Sequence, residues 1–249
     1  MTLPISAGIL SWKSPNTLEK TLETYVKNDL FDLIQDVVIL FQEVTDDDKR
    51  LADKFKLPFI GLDTNVGIGN GMLMLAEQAR KDKFIFLEHD WQLVENYFTT
   101  KRRLLGALEL LDDGYHSVRL RSRKNFGYPL YSEVCKGNEL NHYDPNTDLI
   151  SPHLFDCVHW INEPDKMFPD KIQKHKYHYV TTSRWSNWTN NPCLFNTKFL
   201  IKSIEKFVSY EEKHLEPSIS SWWASQNYKI AWGEGLFKHV DYDKWGPKE

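Results

Sequence analysis

The sequence predicts an α/β fold with a mostly parallel central sheet flanked by helices. Three observations lead there. Over residues 5–90, four short apolar runs alternate with stretches patterned as amphipathic helices. Polar residues stand at the ends of three of those runs. The chain's 249 residues, 41% hydrophobic and 27% charged, suffice for a sizeable core and contain no linker-like tract. A single domain over residues 1–249 is the expectation.

The first run, Ile5 to Trp12, suits a buried strand. Ser14-Pro15 then reads as an N-cap with proline at the first helical position, and Leu18, Leu22, Tyr25 and Val26 follow at helical spacing. Asp36-Val37-Val38-Ile39-Leu40-Phe41 is the second strand. Thr45 or Asp46 caps the next helix, where Asp47 and Asp48 favour the positive end of the dipole. Pro58 to Leu62 is the third strand, and a glycine loop from Asn65 to Gly71 leads into a helix reaching about Arg80. Lys83-Phe84-Ile85-Phe86-Leu87 is the fourth, ending on Glu88-His89-Asp90. Right-handed crossovers between such strands give a parallel sheet.

Beyond it, Asn96 to Asp113 reads as a helix with Leu104, Leu105, Leu108 and Leu111 on one side, followed by a strand at His116 to Leu120. Residues from Arg121 to about Asn191 are irregular and read as long loops over the sheet. Order returns with Pro192-Cys193-Leu194-Phe195, helices at Thr197 to Val208 and Glu216 to Gln226, and a strand at Tyr228 to Trp232.

Composition narrows the function. A net charge of -4 with no basic bias argues against nucleic acid as a partner. The three cysteines, Cys135, Cys157 and Cys193, form no CxxC or zinc pattern and fit a reducing compartment. His153, His159, His175 and His178 lack zinc-ligand spacing. Met1-Thr2-Leu3-Pro4 has no basic region before an apolar stretch, and no apolar run is long enough for a transmembrane segment, so a cytoplasmic protein is expected. There is no GxSxG elbow. The glycine loop is not GxGxxG and follows the third strand, which argues against a dinucleotide-dependent dehydrogenase.

Ligands of open α/β sheets bind outside the carboxyl ends of the strands, and Ser11, Gln42-Glu43 and Glu88-His89-Asp90 fall at such ends. Carboxylates at i and i+2 leave a regular strand on opposite faces, but a turn beginning there brings both towards one point. Hard oxygen ligands of this kind suit Mg²⁺ or Mn²⁺; a solvated strand end is the competing explanation. Arg119, Arg121, Arg123 and Lys124 present either a diphosphate clamp or a solvated strand face. Aromatic residues make up 14% of the chain, and Trp185 and Trp188 serve either as a sugar-stacking platform or as packing.

The run Phe84 to Asp90 resembles the DxD strand of glycosyltransferases with the GT-A fold, in particular the inverting family 2 group, with Glu88 standing at the first acidic position. Ile5 to Trp12 is similar to that family's first strand and Val37 to Glu43 to its second. Asn65-Val66-Gly67-Ile68-Gly69-Asn70-Gly71 resembles its Asn-x-Gly loop. Glu216 lies 11 residues before Asn227-Tyr228-Lys229-Ile230, similar to the interval between the family's Glu-Asp pair and its Gly-Tyr-Lys-Ile strand, with Leu215 in place of the first acid. The likeness covers roughly residues 4–95 and 190–240.

The resemblance implies a GT-A (nucleotide-diphospho-sugar transferase) fold, with a nucleotide-binding half over 1–95 and an acceptor-binding half over 96–249. It implies a metal, Mn²⁺ or Mg²⁺, at Asp90, Glu88 and His239. Donor contacts fall to Ser11, Glu43, Asn65, Gly69 and Arg121, and acceptor contacts to Trp185 and Trp188. Glu216 becomes the base that deprotonates the acceptor hydroxyl, with Glu211 and Glu212 as nearby substitutes. The partners are then a nucleotide-sugar donor, UDP-sugar favoured, and a glycan or glycoconjugate acceptor. Two other readings stand beside this one: a catalytically silent glycan-binding module on the same fold, and a sugar nucleotidyltransferase. The second wants a glycine-rich loop after the first strand, where Trp12-Lys13-Ser14-Pro15-Asn16 has none.

Overall fold

The computed structural model describes residues 2–125, 163–208, 215–240 and 242–245. The four expected strands are present as β1 (Ile5–Trp12), β2 (Asp36–Gln42), β3 (Phe59–Leu62) and β4 (Lys83–Glu88). They pair in parallel in the order β3-β2-β1-β4. The helices between them are α1 (Pro15–Lys27), the short α2 (Leu30–Leu33), α3 (Asp46–Phe55) and α4 (Gly67–Glu77). There follow β5 (Trp91–Leu93), α5 (Tyr97–Asp112), β6 (Ser117–Arg121), α6 (Pro164–Met167), β7 (Gln173–His175), β8 (His178–Thr182), β9 (Cys193–Asn196), α7 (Thr197–Ile204), α8 (Leu215–Ser225), β10 (Lys229–His239) and α9 (Tyr242–Trp245).

All ten described strands join one sheet, in the order β3-β2-β1-β4-β9-β6-β10-β8-β7, with β5 added to β10. Parallel pairing holds through the first half. Beyond β4 the sheet is mixed: β9 runs antiparallel to both β4 and β6, whereas β6 and β10 are parallel. Alternation along each strand feeds two cores. Ile9 and Phe41 face α1 and α5, meeting Leu18, Leu22, Tyr25 and Leu104. Leu10 and Leu40 face α4, α7 and α8, meeting Met72, Leu75, Leu200, Ile219 and Trp223. A sheet buried on both faces needs such apolar runs, and the two helical layers follow from them.

Several local expectations hold and others are corrected. Thr45 caps α3 in a capping box, its Oγ1 accepting from Asp48 N at 3.2 Å while Asp48 Oδ2 accepts from Thr45 N at 2.9 Å. Ser14 occupies the N-cap of α1 but makes no side-chain cap bond. The glycine stretch is not a loop: α4 begins at Gly67, so Gly69 and Gly71 are helical. The region expected as loops contains the β7–β8 hairpin and α6, although residues 126–162 lie outside the described chain.

Strand β10 runs on past Trp232 to His239, with a register shift between Trp232 and Phe237. Gly235 sits there at φ 72°, and a Cβ would overlap the Arg121 carbonyl, so glycine is required. The shift returns β10 to pairing with β5, Phe237 opposite Leu93 and His239 opposite Trp91. That delivers His239 beside the turn that follows β4. No described helix is long and apolar enough to cross a membrane.

Candidate active site

A cleft of about 380 Å³ opens at the carboxyl ends of β1, β2 and β4, lined by Leu10, Trp12, Gln42, Asn65, Gly67, Ile68, Glu88, His89, Asn190, Leu215 and Glu216. This is where a parallel sheet exposes its strand ends to a ligand. A larger groove of about 670 Å³ lies elsewhere, along α5 and the β7–β8 hairpin, away from all of these carboxylates.

The turn after β4 supplies the acidic group. His89 N donates to Leu10 O at 2.9 Å, tying the turn to β1. Asp90 is 8% exposed, and its Oδ2 accepts from His239 Nε2 at 2.9 Å. Its Oδ1 is buried with no partner among the described residues. Burial opposes the charge on Asp90, but the His239 bond, with help from the charges of His89 and His239, wins and holds its pKa below the ordinary carboxylate value. The His239 ring also packs on Trp91, with centroids 4.9 Å apart.

Glu88 lines the cleft itself. Burial pushes its pKa well up, and the negative charges of Asp90 and Glu216 push the same way. Glu88 and Glu216 line the cleft, whereas Asp90 is buried outside its lining and adds its charge to Glu88, an arrangement that a cation or a proton must relieve. Glu88, Asp90 and His239 do not form a ready-made cage: among the described residues, no group of three or more His, Cys, Asp or Glu side chains can hold a metal alone. Asp90 Oδ1, an orphaned buried oxygen beside Glu88, fits a Mg²⁺ or Mn²⁺ ion that takes its remaining ligands from phosphate and water.

Glu216 stands on the other side, in the first turn of α8. Its Oε1 accepts from Asn190 N at 2.8 Å. Although the side chain keeps solvent access, the surrounding protein desolvates the carboxylate enough to raise its pKa, against the Asn190 N–H, Arg119 and Thr189. A carboxylate with raised pKa at a cleft wall is suited to accept a proton. Glu211 and Glu212, its suggested substitutes, lie outside the described residues.

The expected donor residues separate. Asn65 lines the cleft, its Oδ1 accepting from Gly67 N at 2.8 Å at the start of α4. Glu43, at φ 53°, pairs with Lys13 at 2.5 Å and accepts from Trp12 Nε1 at 3.2 Å, bracing the indole at the cleft mouth. Ser11 is buried to 1%, and its neighbours Leu10 and Trp12 take the cleft side of β1 instead. Gly69 faces Val208, whose Cγ1 would be 2.9 Å from an added Cβ, so it serves helix packing and not donor approach. Arg121 donates to Asn191 Oδ1 at 3.1 Å and lies 5.1 Å from the Trp91 ring centre, next to the Asp90–His239 pair. Arg119, 6% exposed, donates to Asn187 O and is the cation that acts on Glu216.

Of the two expected acceptor residues, Trp188 is core: it is 1% exposed, stacked on Phe195 and edge-on to Trp223. Trp185 lies outside the cleft lining and holds Lys171 and Arg184 over its ring at 5.1 and 5.0 Å. Trp12, which the sequence reading did not single out, and Gln42, which it placed at a strand end without a role, line the cleft, as do Asn190, likewise not singled out, and His89, likewise only placed at a strand end. For the first two the period of two along β1 and β2 was the signal, because Leu10 and Leu40 share a core face and pair in register, as do Trp12 and Gln42.

No protein-family model and no curated protein matches the sequence. Solved structures do. The crystal structure of S. aureus TarS 1-349 in complex with UDP is 14% identical with a TM-score of 0.55, covering 95% of this chain and 60% of that one. The mannosyltransferase PcManGT from Pyrobaculum calidifontis, in complex with GDP-Man and Mn²⁺, is 10% identical with a TM-score of 0.56, covering 98% of this chain and 58% of that one. A nucleotidyl transferase from Methanothermobacter thermautotroptrophicus is 9% identical with a TM-score of 0.50, covering 95% and 87%. The chain thus spans about three-fifths of the two glycosyltransferase structures. The fold is GT-A, a nucleotide-diphospho-sugar transferase fold.

Proposed function

We propose that the chain is a metal-dependent, inverting glycosyltransferase that moves a sugar from a nucleoside diphosphate, UDP favoured, to a hydroxyl of a glycan acceptor. The observation that carries this reading is the meeting of Glu88 and Glu216 in one cleft at the strand ends, with the unpartnered Asp90 Oδ1 buried behind its lining. The neighbours solved with UDP and with GDP-Man and Mn²⁺ support the donor class and the metal.

Asp90, with Glu88 and His239 beside it, is the group that would hold Mn²⁺ or Mg²⁺. The ion, when bound, would offset negative charge on the leaving diphosphate. Trp12, braced by Glu43, offers a flat apolar face at the nucleoside end, and Asn65 and Gln42 line the wall beneath it. Glu216 accepts the acceptor's hydroxyl proton as that oxygen bonds to the anomeric carbon. The bond from that carbon to the diphosphate oxygen breaks, its electron pair leaving with the nucleoside diphosphate. One displacement of this kind inverts the anomeric centre. The halves then divide the labour, residues 1–95 holding the donor and Asn190, Leu215 and Glu216 meeting the acceptor. A cytoplasmic location fits a nucleotide-sugar user.

The nucleotidyl transferase neighbour supports a second reading, formation of a nucleotide-sugar from a nucleoside triphosphate. A product assay separates the two: incubation with UDP-sugars, GDP-sugars and Mn²⁺ should release nucleoside diphosphate. Pyrophosphate release from a triphosphate and sugar phosphate selects the alternative. Binding without any turnover selects a silent glycan-binding module.

A further inference from the structure

Helix α1 starts without the cap its sequence advertises. Ser14 makes no side-chain bond at the N-cap and Pro15 has no N–H to satisfy, which leaves the N–H of Thr17, the third helical residue, as the usual capping target. Its partner comes from the far end of the chain. Thr17 N donates to Asp243 Oδ2 at 2.8 Å and Asn16 Nδ2 donates to Asp243 Oδ1 at 2.9 Å. In return, Thr17 Oγ1 accepts from the backbone N–H groups of Tyr242 and Asp243 at 2.9 and 3.0 Å. Lys20 lies 4.2 Å from the Tyr242 ring centre, and Gln92 Nε2 donates to the Tyr242 hydroxyl at 3.4 Å.

This reciprocal set closes a loop through the site. Val240 N donates to Asp90 O at 2.8 Å, so Val240 is tied to the β4 turn while Tyr242 and Asp243 are tied to α1. Trp12, the last residue of β1, lines the cleft just before the turn into α1, and Lys13 follows it. A carboxylate at a helix N-terminus is favoured by the dipole, and each oxygen of Asp243 takes one of the two bonds from the start of α1.

We infer that Asp243 is a positioning residue: by capping α1 from outside, it holds the segment after His239 and keeps that imidazole against Asp90. The consequence for metal affinity rests on the reading of the site proposed above; the clasp itself does not.

The test uses Asp243→Ala and Asp243→Asn in the full chain, because asparagine keeps one oxygen that can cap Thr17 N and alanine keeps none. The first readout needs no ligand. Hydrogen exchange at the Val240 amide should quicken in the alanine variant and stay near the parent rate in the asparagine variant. The second is Mn²⁺ titration in the presence of UDP, followed by the electron paramagnetic resonance signal of free Mn²⁺. The alanine variant should bind Mn²⁺ about 2- to 30-fold more weakly, the range that loss of a helix cap corresponds to, and asparagine should restore it. Parent-like exchange in the alanine variant overturns the inference, as does unchanged Mn²⁺ affinity or an asparagine variant as impaired as alanine. A parent protein that takes up no Mn²⁺ with UDP counts against the proposed function and leaves the exchange result to decide the clasp.

Discussion

Asp90 gives one carboxylate oxygen to His239 at 2.9 Å and keeps the other buried and unpartnered. The two oxygens therefore have different tasks. Oδ2 fixes the carboxylate's orientation through a residue 149 positions away, and in the proposed function Oδ1 would meet the metal. Since β10 reaches His239 only through the register shift at Gly235, the bulge, the histidine and the acid form one unit.

Glu216→Gln separates binding from turnover. Glutamine can keep the bond from Asn190 N through its oxygen but cannot take up a proton. Loss of a general base typically costs about 10²- to 10⁴-fold in rate. Steady-state kinetics should show a fall in kcat of that order with UDP affinity unchanged; equal turnover removes Glu216 from this role.

Glu88 makes the metal-free protein sensitive to pH. Its folded-state pKa is raised above the ordinary 4.5, so the folded chain holds that proton more tightly than the unfolded chain. The stability it contributes is fully present below about 4.5 and is lost as pH rises through the raised value. Glu88→Gln should melt near the parent temperature at low pH and above it at neutral pH, the gap widening with pH. A gap that closes as pH rises would mean the carboxylate is better solvated than its surroundings indicate.

The tryptophans should divide cleanly between donor binding and folding. Trp12 is 43% exposed at the cleft, whereas Trp188 is 1% exposed between Phe195 and Trp223. Stacking of a base on an aromatic ring is worth about 1–3 kcal/mol, so Trp12→Ala should weaken UDP binding about 5- to 150-fold with little change in Tm. Truncating a buried tryptophan costs about 3–5 kcal/mol, so Trp188→Ala should lower the urea midpoint strongly. Calorimetry and urea denaturation on both variants check the division.

Much of this architecture was legible because it depends on local pattern. The four parallel strands and their helices follow from apolar periodicity, and the Thr45 cap from its own neighbours. Glu88, Asp90 and Glu216 stood out as acids at strand ends and a helix start, and His239 through the resemblance; the structure brings Glu88 and Glu216 to one cleft and pairs His239 with Asp90. What escaped was decided by packing or by distance along the chain. Trp188 offers the same indole to a sugar or to a core, and only the positions of Phe195 and Trp223 choose. Gly69 looks like loop chemistry until Val208 is packed against it. The β7–β8 hairpin turns at Lys176-Tyr177, with Lys176 at φ 54°, and so lacks the glycine or asparagine that marks such turns. Asp243 caps a helix 226 residues away, a relationship no local reading contains.

The most direct test is isothermal calorimetry of UDP binding with and without Mn²⁺, on the parent and on Asp90→Asn. Asparagine keeps the shape and an acceptor for His239 but removes the charge that would meet the cation. The parent should bind UDP at least about tenfold more tightly with Mn²⁺, a difference of about 1.4 kcal/mol, and Asp90→Asn should show no such gain. UDP binding that ignores Mn²⁺ in the parent, or that keeps its full Mn²⁺ dependence in Asp90→Asn, would contradict the assignment of this carboxylate.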